Sequence, residues 1–248
     1  MHFIEILIIG IAELIIAIFS SIAQGGGNYI IVSVLLIVGV TPVAANAALS
    51  VSNIGFTIGN IAGLRGVPVK DKVTLGALMA TSISTGLFAP YIMSKMNSHF
   101  YSLLIGIMLL IIAPILYSKP FGTTNNLSTG NSKIFGYFII LLLTIMARFT
   151  LGIGALFSYV LCRYCGLTIL EANLYRKISG FFASIIVAIG VILGGFVNWP
   201  ITISLTIASI LGAFIGARIT VKKGNNWTSK VMTATMFVSG VILIIINI

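Results

Sequence analysis

The chain has 248 residues, 58% of them hydrophobic and only 7% charged, with a mean hydropathy of +1.16. Soluble domains carry about 25% charged residues, so a water-soluble globule is excluded. Fourteen Lys and Arg against four acids give a net charge of +10. That excess sits mostly between apolar runs, where it reads as a topology determinant at a membrane surface and not as a nucleic-acid footprint.

Apolar runs of membrane length follow one another: Phe3 to Val38, Pro42 to Leu64, Val73 to Met93, Tyr101 to Tyr117, Ile134 to Cys165, Ile169 to Val197, Ile201 to Val221 and Val231 to Ile246. The N-terminal segment lacks a basic n-region and a small-residue cleavage site followed by a polar chain, so it is expected to stay in the membrane. Six of the runs suit a single crossing of about 30 Å of hydrocarbon. The first and fifth do not: at 36 and 32 residues they would be about 54 and 48 Å long as unbroken helices. Glycines interrupt both, at Gly25, Gly26 and Gly27 and at Gly152 and Gly154. Glycine disfavours helix continuation, and the few residues beyond each break cannot cross again, so both runs are expected to be broken or re-entrant elements.

Ser118 to Ser132 is rich in Thr, Asn, Ser and Gly and reads as a linker between two halves. The predicted organisation is a first membrane repeat over 1–117, a polar linker over 118–132 and a second repeat over 133–248. Laying Gly25 on Gly152 without gaps, an offset of 127, gives nine identities in 39 positions: Gly25/Gly152, Gly27/Gly154, Gly39/Gly166, Thr41/Thr168, Ala45/Ala172, Asn46/Asn173, Ser52/Ser179, Ile58/Ile185 and Gly63/Gly190. If each broken element turns back as a hairpin, Arg65, Lys70, Lys72, Lys119, Lys133, Arg163, Lys222, Lys223 and Lys230 fall on one face and only Lys95 on the other. The positive-inside rule prefers that split to the even one that single crossings would give. A hairpin plus three crossings then inverts the second half. The expected fold is an all-α polytopic membrane protein of two inverted repeats, each a glycine-broken re-entrant helical element followed by three transmembrane helices. It would be a multi-pass protein of the cell membrane, with both termini outside.

Inverted breaks near the midplane are where secondary transporters hold their substrates. Helix starts present unpaired N–H groups and a positive dipole end, which favour an anion. Around the first break stand Ser21, Gln24 and Asn28; before the second stand Arg148 and Thr150. An arginine inside an apolar segment faces a cavity or a partner, and Glu13, the one acid deep in a span, is the candidate partner or a carrier of a coupling proton. Asn46, Ser50, Asn53, Asn173, Lys177 and Ser179 form a polar stripe at near-helical spacing, open to a ligand or to neighbouring helices; Lys177 could snorkel to the surface or approach the anion. Gly212 and Gly216 read as a helix contact.

No zinc set completes Cys162 and Cys165, for which a redox role stays open, and no Walker loop is present. No enzyme, cofactor, metal or nucleic-acid role is expected. The partners expected are a small anion, the lipid bilayer and a coupling ion, H⁺ or Na⁺, with a homo-oligomer open.

Gln24-Gly25-Gly26-Gly27 followed by Val40-Thr41-Pro42-Val43-Ala44-Ala45-Asn46 resembles the sulfite exporter TauE/SafE family, and so does the second copy, Gly152-Ile153-Gly154 with Gly166-Leu167-Thr168 and Glu171-Ala172-Asn173. Gly195-Phe196-Val197-Asn198-Trp199 and the stretch Gly212 to Arg218 extend the resemblance to nearly the whole chain. Ile153 stands where that family often has a third glycine, and Asn46 and Asn173 where threonine is common. The resemblance implies a permease for sulfite, a sulfonate or a related organosulfur anion. An anion channel and a non-transporting membrane scaffold subunit are the alternatives.

Overall fold

The computed structural model describes residues 3–24, 27–93, 130–146 and 154–246, and the described residues contain helices and no strand. They form α1 (Phe3–Ala23), α2 (Gly27–Ile37), α3 (Pro42–Gly63), α4 (Lys72–Met93), α5 (Gly130–Met146), α6 (Gly154–Cys165), α7 (Ile169–Leu193) and α8 (Trp199–Ile246). The expected span Tyr101 to Tyr117 lies outside the described residues. α5 begins at Gly130, so its first residues come from the stretch read as linker. α8 is two helices joined at a kink, which falls in the polar stretch before Val231. A single residue, Gly224 at φ +78°, makes the kink, a conformation that costs glycine little.

Local chemistry sets the other boundaries. Thr41 and Thr168, equivalent in the two halves, both cap helices: each side chain accepts a hydrogen bond from the backbone N–H three residues on, and Glu171 completes a capping box on Thr168. Pro42 suits the first turn of α3, where its missing N–H would have had no partner.

The distribution of side chains is that of a protein dissolved in lipid. Ile4, Ile8, Ile11, Phe19, Ile203 and Ile207 are exposed, whereas Glu13, Ser21, Gln24, Asn60, Ser158 and Asn173 are buried. Three helices among the described residues are long and apolar enough to cross a membrane: Ile4–Ala23, Ile169–Leu193 and Trp199–Ala234.

Glycines fix the closest packing. A Cβ on Gly212 would stand 2.5 Å from the Leu14 carbonyl oxygen, and one on Gly216 2.5 Å from that of Ile18, so α1 and α8 touch backbone to backbone and run parallel. Gly55, Gly59 and Gly63 bring α3 equally close to Thr206, Ile210 and Ala217, again parallel to α8.

The short helices turn back. Leu35 and Val40, at and beyond the end of α2, cluster with Ile9, Ala45, Ile201 and Leu205, so α2 returns to the end at which α1, α3 and α8 begin. Gly136 of α5 abuts Tyr164 of α6, so α6 returns to the end where α5 begins. That is the opposite end of the molecule. There Lys133 of α5 pairs with Asp71 before α4 at 2.8 Å, Lys70 pairs with Glu171 of α7 at 2.9 Å, and the Leu170 N–H donates to Asn225 beside the break in α8. Arg65, Lys72, Arg163, Lys222 and Lys223 are exposed on the adjoining helix ends, making this the basic end. Burial pushes the Asp71 carboxyl up, but hydrogen bonds from Lys133 and Thr74 outweigh it and hold the group down at about 2.

Candidate functional site

Residues beside the two breaks meet inside the protein: Gln24 lies against Gly154 and Ser158. Gln24, which ends α1, is fully buried and has φ +62°, the one positive φ among described non-glycine residues. Such a conformation is strained for a residue with a Cβ and is held only where surrounding contacts enforce it. Here the Ser158 hydroxyl of α6 donates to Gln24 Oε1. Gly154, the first residue of α6, lies against both the Gln24 carbonyl oxygen and the Arg176 guanidinium, and a Cβ there would collide with each. Close approach of two backbones and a cation is therefore what requires glycine at 154.

Arg176 comes from α7, seven residues beyond its start, about 10 Å along the helix. Its Nη2 donates to Asn173 Oδ1 at 3.4 Å, one turn earlier on the same face. Three buried side-chain N–H groups here have no partner among the described residues: Gln24 Nε2, Asn173 Nδ2 and Arg176 Nε. Buried polar groups are almost always hydrogen-bonded, so three orphan donors around one glycine point to something that accepts from them. Two helices also begin here, α2 at Gly27 and α6 at Gly154, each adding unpaired backbone N–H groups and a positive dipole end. Among the described residues no carboxylate forms an ion pair with Arg176. Chemically, the arrangement can neutralise and hydrogen-bond an anion.

The other expected site residues fall in different places. Gly25, Gly26, Arg148, Thr150 and Gly152 lie outside the described residues, and of Asn28 only the backbone, in the first turn of α2, is described. Lys177 neighbours Arg176, with its Nζ 4.2 Å from the centre of the Phe56 ring of α3, a cation–π contact. Ser21 is engaged in helix packing, its hydroxyl 2.8 Å from Asn60 Oδ1 and 3.1 Å from the Ala213 carbonyl oxygen. Asn53 donates to Ser184 Oγ at 3.3 Å, tying α3 to α7, and Asn46 is exposed. Glu13 is buried between α1 and α8, where Ser209 donates to its Oε1 while Oε2 has no partner among the described residues. Cys162 and Cys165 are buried free thiols.

Sequence reading missed Arg176 and Ser158. Both were findable: Arg176 stands three residues after Asn173 and Ser158 four after Gly154, the spacings that put side chains on one helical face.

An apolar exterior, buried polar side chains and an Arg176 guanidinium with no carboxylate partner among the described residues fit a helical membrane protein with a candidate cationic site. The chain belongs to the sulfite exporter TauE/SafE family, whose family model matches residues 9–243. Membership places it among membrane transporters. No curated protein and no solved structure shows a significant match to the chain.

Proposed function

We propose that the protein is a secondary transporter that moves a small oxyanion, such as sulfite, a sulfonate or a related organosulfur anion, by alternating access. The observation that carries this reading is the set of donors without a described partner on Gln24, bonded to Ser158 of α6, on Arg176, lying against Gly154, and on Asn173, bonded to Arg176. Arg176 supplies the charge there. Arg148 and Thr150, in the segment leading into Gly154, are proposed to add to it, together with Gly25, Gly26 and Asn28 on the first side and Lys177 beside Arg176.

Inverted repeats are the architecture this mechanism needs, and helix positions support them. α2, α3 and α4 start at Gly27, Pro42 and Lys72, and α6, α7 and α8 start 127 residues later in each case, at Gly154, Ile169 and Trp199. α3 runs towards the basic end and α7 away from it. On this reading the two hairpins are re-entrant from opposite faces of a multi-pass protein of the cell membrane, with the basic end cytoplasmic and both termini outside. Rocking one repeat against the other would expose the central site alternately.

Glu13 is the proposed coupling group: buried, bonded on one oxygen only, and within a span, it is placed to exchange a proton.

The test is binding and counterflow with purified, reconstituted protein. Sulfite, sulfonates, thiosulfate, sulfate and carboxylates are screened by thermal shift, since a ligand of the folded state raises its apparent stability. Arg176→Gln should abolish both the shift and transport, and an unchanged affinity would refute the assigned charge role. Counterflow of labelled substrate separates a carrier from a channel, and a scaffold would give neither binding nor flux.

A further inference from the structure

Resting on the reading of the protein as an alternating-access carrier, we infer that the two units that move against each other are not the sequence halves, because the two repeats exchange a helix. One unit is α1, α2 and α3 with the first part of α8, up to the break at Gly224. The other is α5, α6 and α7 with α4.

Packing assigns the helices. Along its first part α8 meets the first half at backbone distance, Gly212 and Gly216 seating α1, and Gly55, Gly59 and Gly63 seating α8 on α3. Ser204 donates to the Ile6 carbonyl, Ser209 to Glu13, and Ser21 to the Ala213 carbonyl across the same faces. α4 does the converse. Its Leu78 is buried in one core with Ile140 of α5, Leu156 of α6 and Tyr175 of α7, and its Thr74 bonds Tyr137. Just before it, Asp71 pairs with Lys133 and donates its N–H to the Tyr175 hydroxyl. Among the described residues α4 has no comparable packing on α1, α2 or α3. Beyond Gly224, Met232 joins the Leu78 core, so the chain returns to the second unit at that break. The exchange is reciprocal, since α4 and the first part of α8 begin at equivalent positions of the repeat, Lys72 and Trp199.

Contacts between the units are lighter: the Asn53–Ser184 bond, Lys177 over the Phe56 ring, and a small cluster of Leu64 and Ala217 with Leu174. Interlocked backbones resist sliding, whereas side-chain contacts of this kind can be remade, which puts the moving boundary here. The described chain crosses it between α3 and α4, between α7 and α8, and at Gly224. Each crossing holds a glycine at positive φ, Gly66, Gly195 and Gly224, with no described residue within 4 Å of a Cβ built there. Hinges are a few such residues that absorb changes in φ and ψ. The site lies on the same boundary. Gln24 belongs to the first unit, and Gly154, Ser158, Asn173 and Arg176 belong to the second, so an anion held there is gripped from both.

Electron–electron double resonance on the purified full chain tests the partition. With Cys162 and Cys165 replaced by alanine, nitroxides are placed in pairs on exposed residues. Ile8 with Ile207, and Val73 with Phe138, lie in different halves but in one unit; Ile189 with Ile207 lies in one half but in different units. On adding methanesulfonate the third distance should shift and the first two should not. A shift in either of the first two would overturn the inference, and so would a third distance that stays put in protein whose melting temperature methanesulfonate raises. Counterflow gives a second readout. Gly10→Cys with Ser204→Cys ties α1 to α8 inside one unit, a Cβ at position 10 lying 2.6 Å from the Ser204 hydroxyl oxygen. Labelled methanesulfonate, unlike sulfite, leaves that disulfide intact, and oxidised and reduced protein should exchange it at the same rate. Arrest on oxidation that a reductant relieves would refute the exchange of helices while leaving the anion site standing. Absence of both binding and counterflow in the wild type, for methanesulfonate, sulfite and sulfate alike, would remove the proposed function and this inference with it.

Discussion

Gly154→Ala tests the geometry of the site with the smallest possible change. The added methyl would meet the Arg176 guanidinium on one side and the Gln24 carbonyl oxygen on the other. Neither can yield freely. The carbonyl belongs to a residue at φ +62° whose side chain is bonded to Ser158, and moving Arg176 breaks its hydrogen bond to Asn173. Overpacking of this kind costs about 1–3 kcal/mol. If the displaced groups are the ligand's own contacts, the loss falls on binding, and affinity for the transported anion should drop about 5- to 150-fold. Gly180→Ala is the internal control: it lies one turn beyond Arg176 on α7, no described residue stands within 4 Å of its Cβ position, and replacing a helical glycine should stabilise by up to about 1 kcal/mol without touching affinity. Titration of both variants, with melting temperatures measured on the same preparations, separates a local effect from a global one. Wild-type affinity in Gly154→Ala would refute the geometry, and an equal loss in Gly180→Ala would refute its assignment to the site.

Three further outcomes follow from the packing and the basic end. Gly212→Val should destabilise the fold by at least about 1–3 kcal/mol, because the Leu14 carbonyl lies 2.5 Å from the new Cβ, and thermal denaturation beside Gly76→Ala, with nothing within 4 Å, measures it. Asp71 is held at about 2, below its ordinary value, so its bond to Lys133 contributes fully above the ordinary carboxylate range, near 3.9, and is lost as pH falls from there through about 2. Asp71→Asn should therefore lower stability at neutral pH by about 1 kcal/mol, as screened pairs do, and flatten melting temperature against pH across that acid window; an unchanged profile would contradict the pairing. Glu13→Gln should abolish the pH dependence of transport while leaving anion binding intact, and a pH profile identical to wild type would discard Glu13 as the proton carrier.

How much of this was legible in the sequence differs element by element, for physical reasons. The two breaks were legible because an apolar run of 36 residues cannot be one crossing, and glycine marks where it stops. α1 ends at Ala23 and α6 begins at Gly154, beside those glycines. Gln24 and Gly154 stand out in the sequence by their place at the breaks and Asn173 by its match to Asn46, and the structure brings Gln24 and Gly154 together and joins Asn173 to Arg176. Partner choice was not. Ser21, Asn53 and Asn173 look alike as polar residues in apolar helices, yet the first two spend their hydrogen bonds between helices and Asn173 keeps an N–H without a partner among the described residues. That difference depends on which helix faces which, and the facing is set by non-local backbone contacts such as Gly59 on Ile210 and Gly216 on Ile18. The Glu13–Ser209 bond joins residues far apart in sequence and depends on the same register.

Arg176 was hidden for another reason: the repeat drew attention to positions the halves share, such as Gly154 and Asn173, and Arg176 stands at one they do not. At the offset of 127, Arg176 corresponds to Leu49, Ser158 to Ile31, Gln24 to Leu151 and Glu13 to Ile140. Shared Thr caps and matching helix starts build two similar frames, and in each of these four pairs one half keeps an apolar residue where the other has a polar or charged one. Arg176, Ser158 and Gln24 therefore come from places where the repeat is broken, while Gly154 and Asn173, which they adjoin, come from places where it holds.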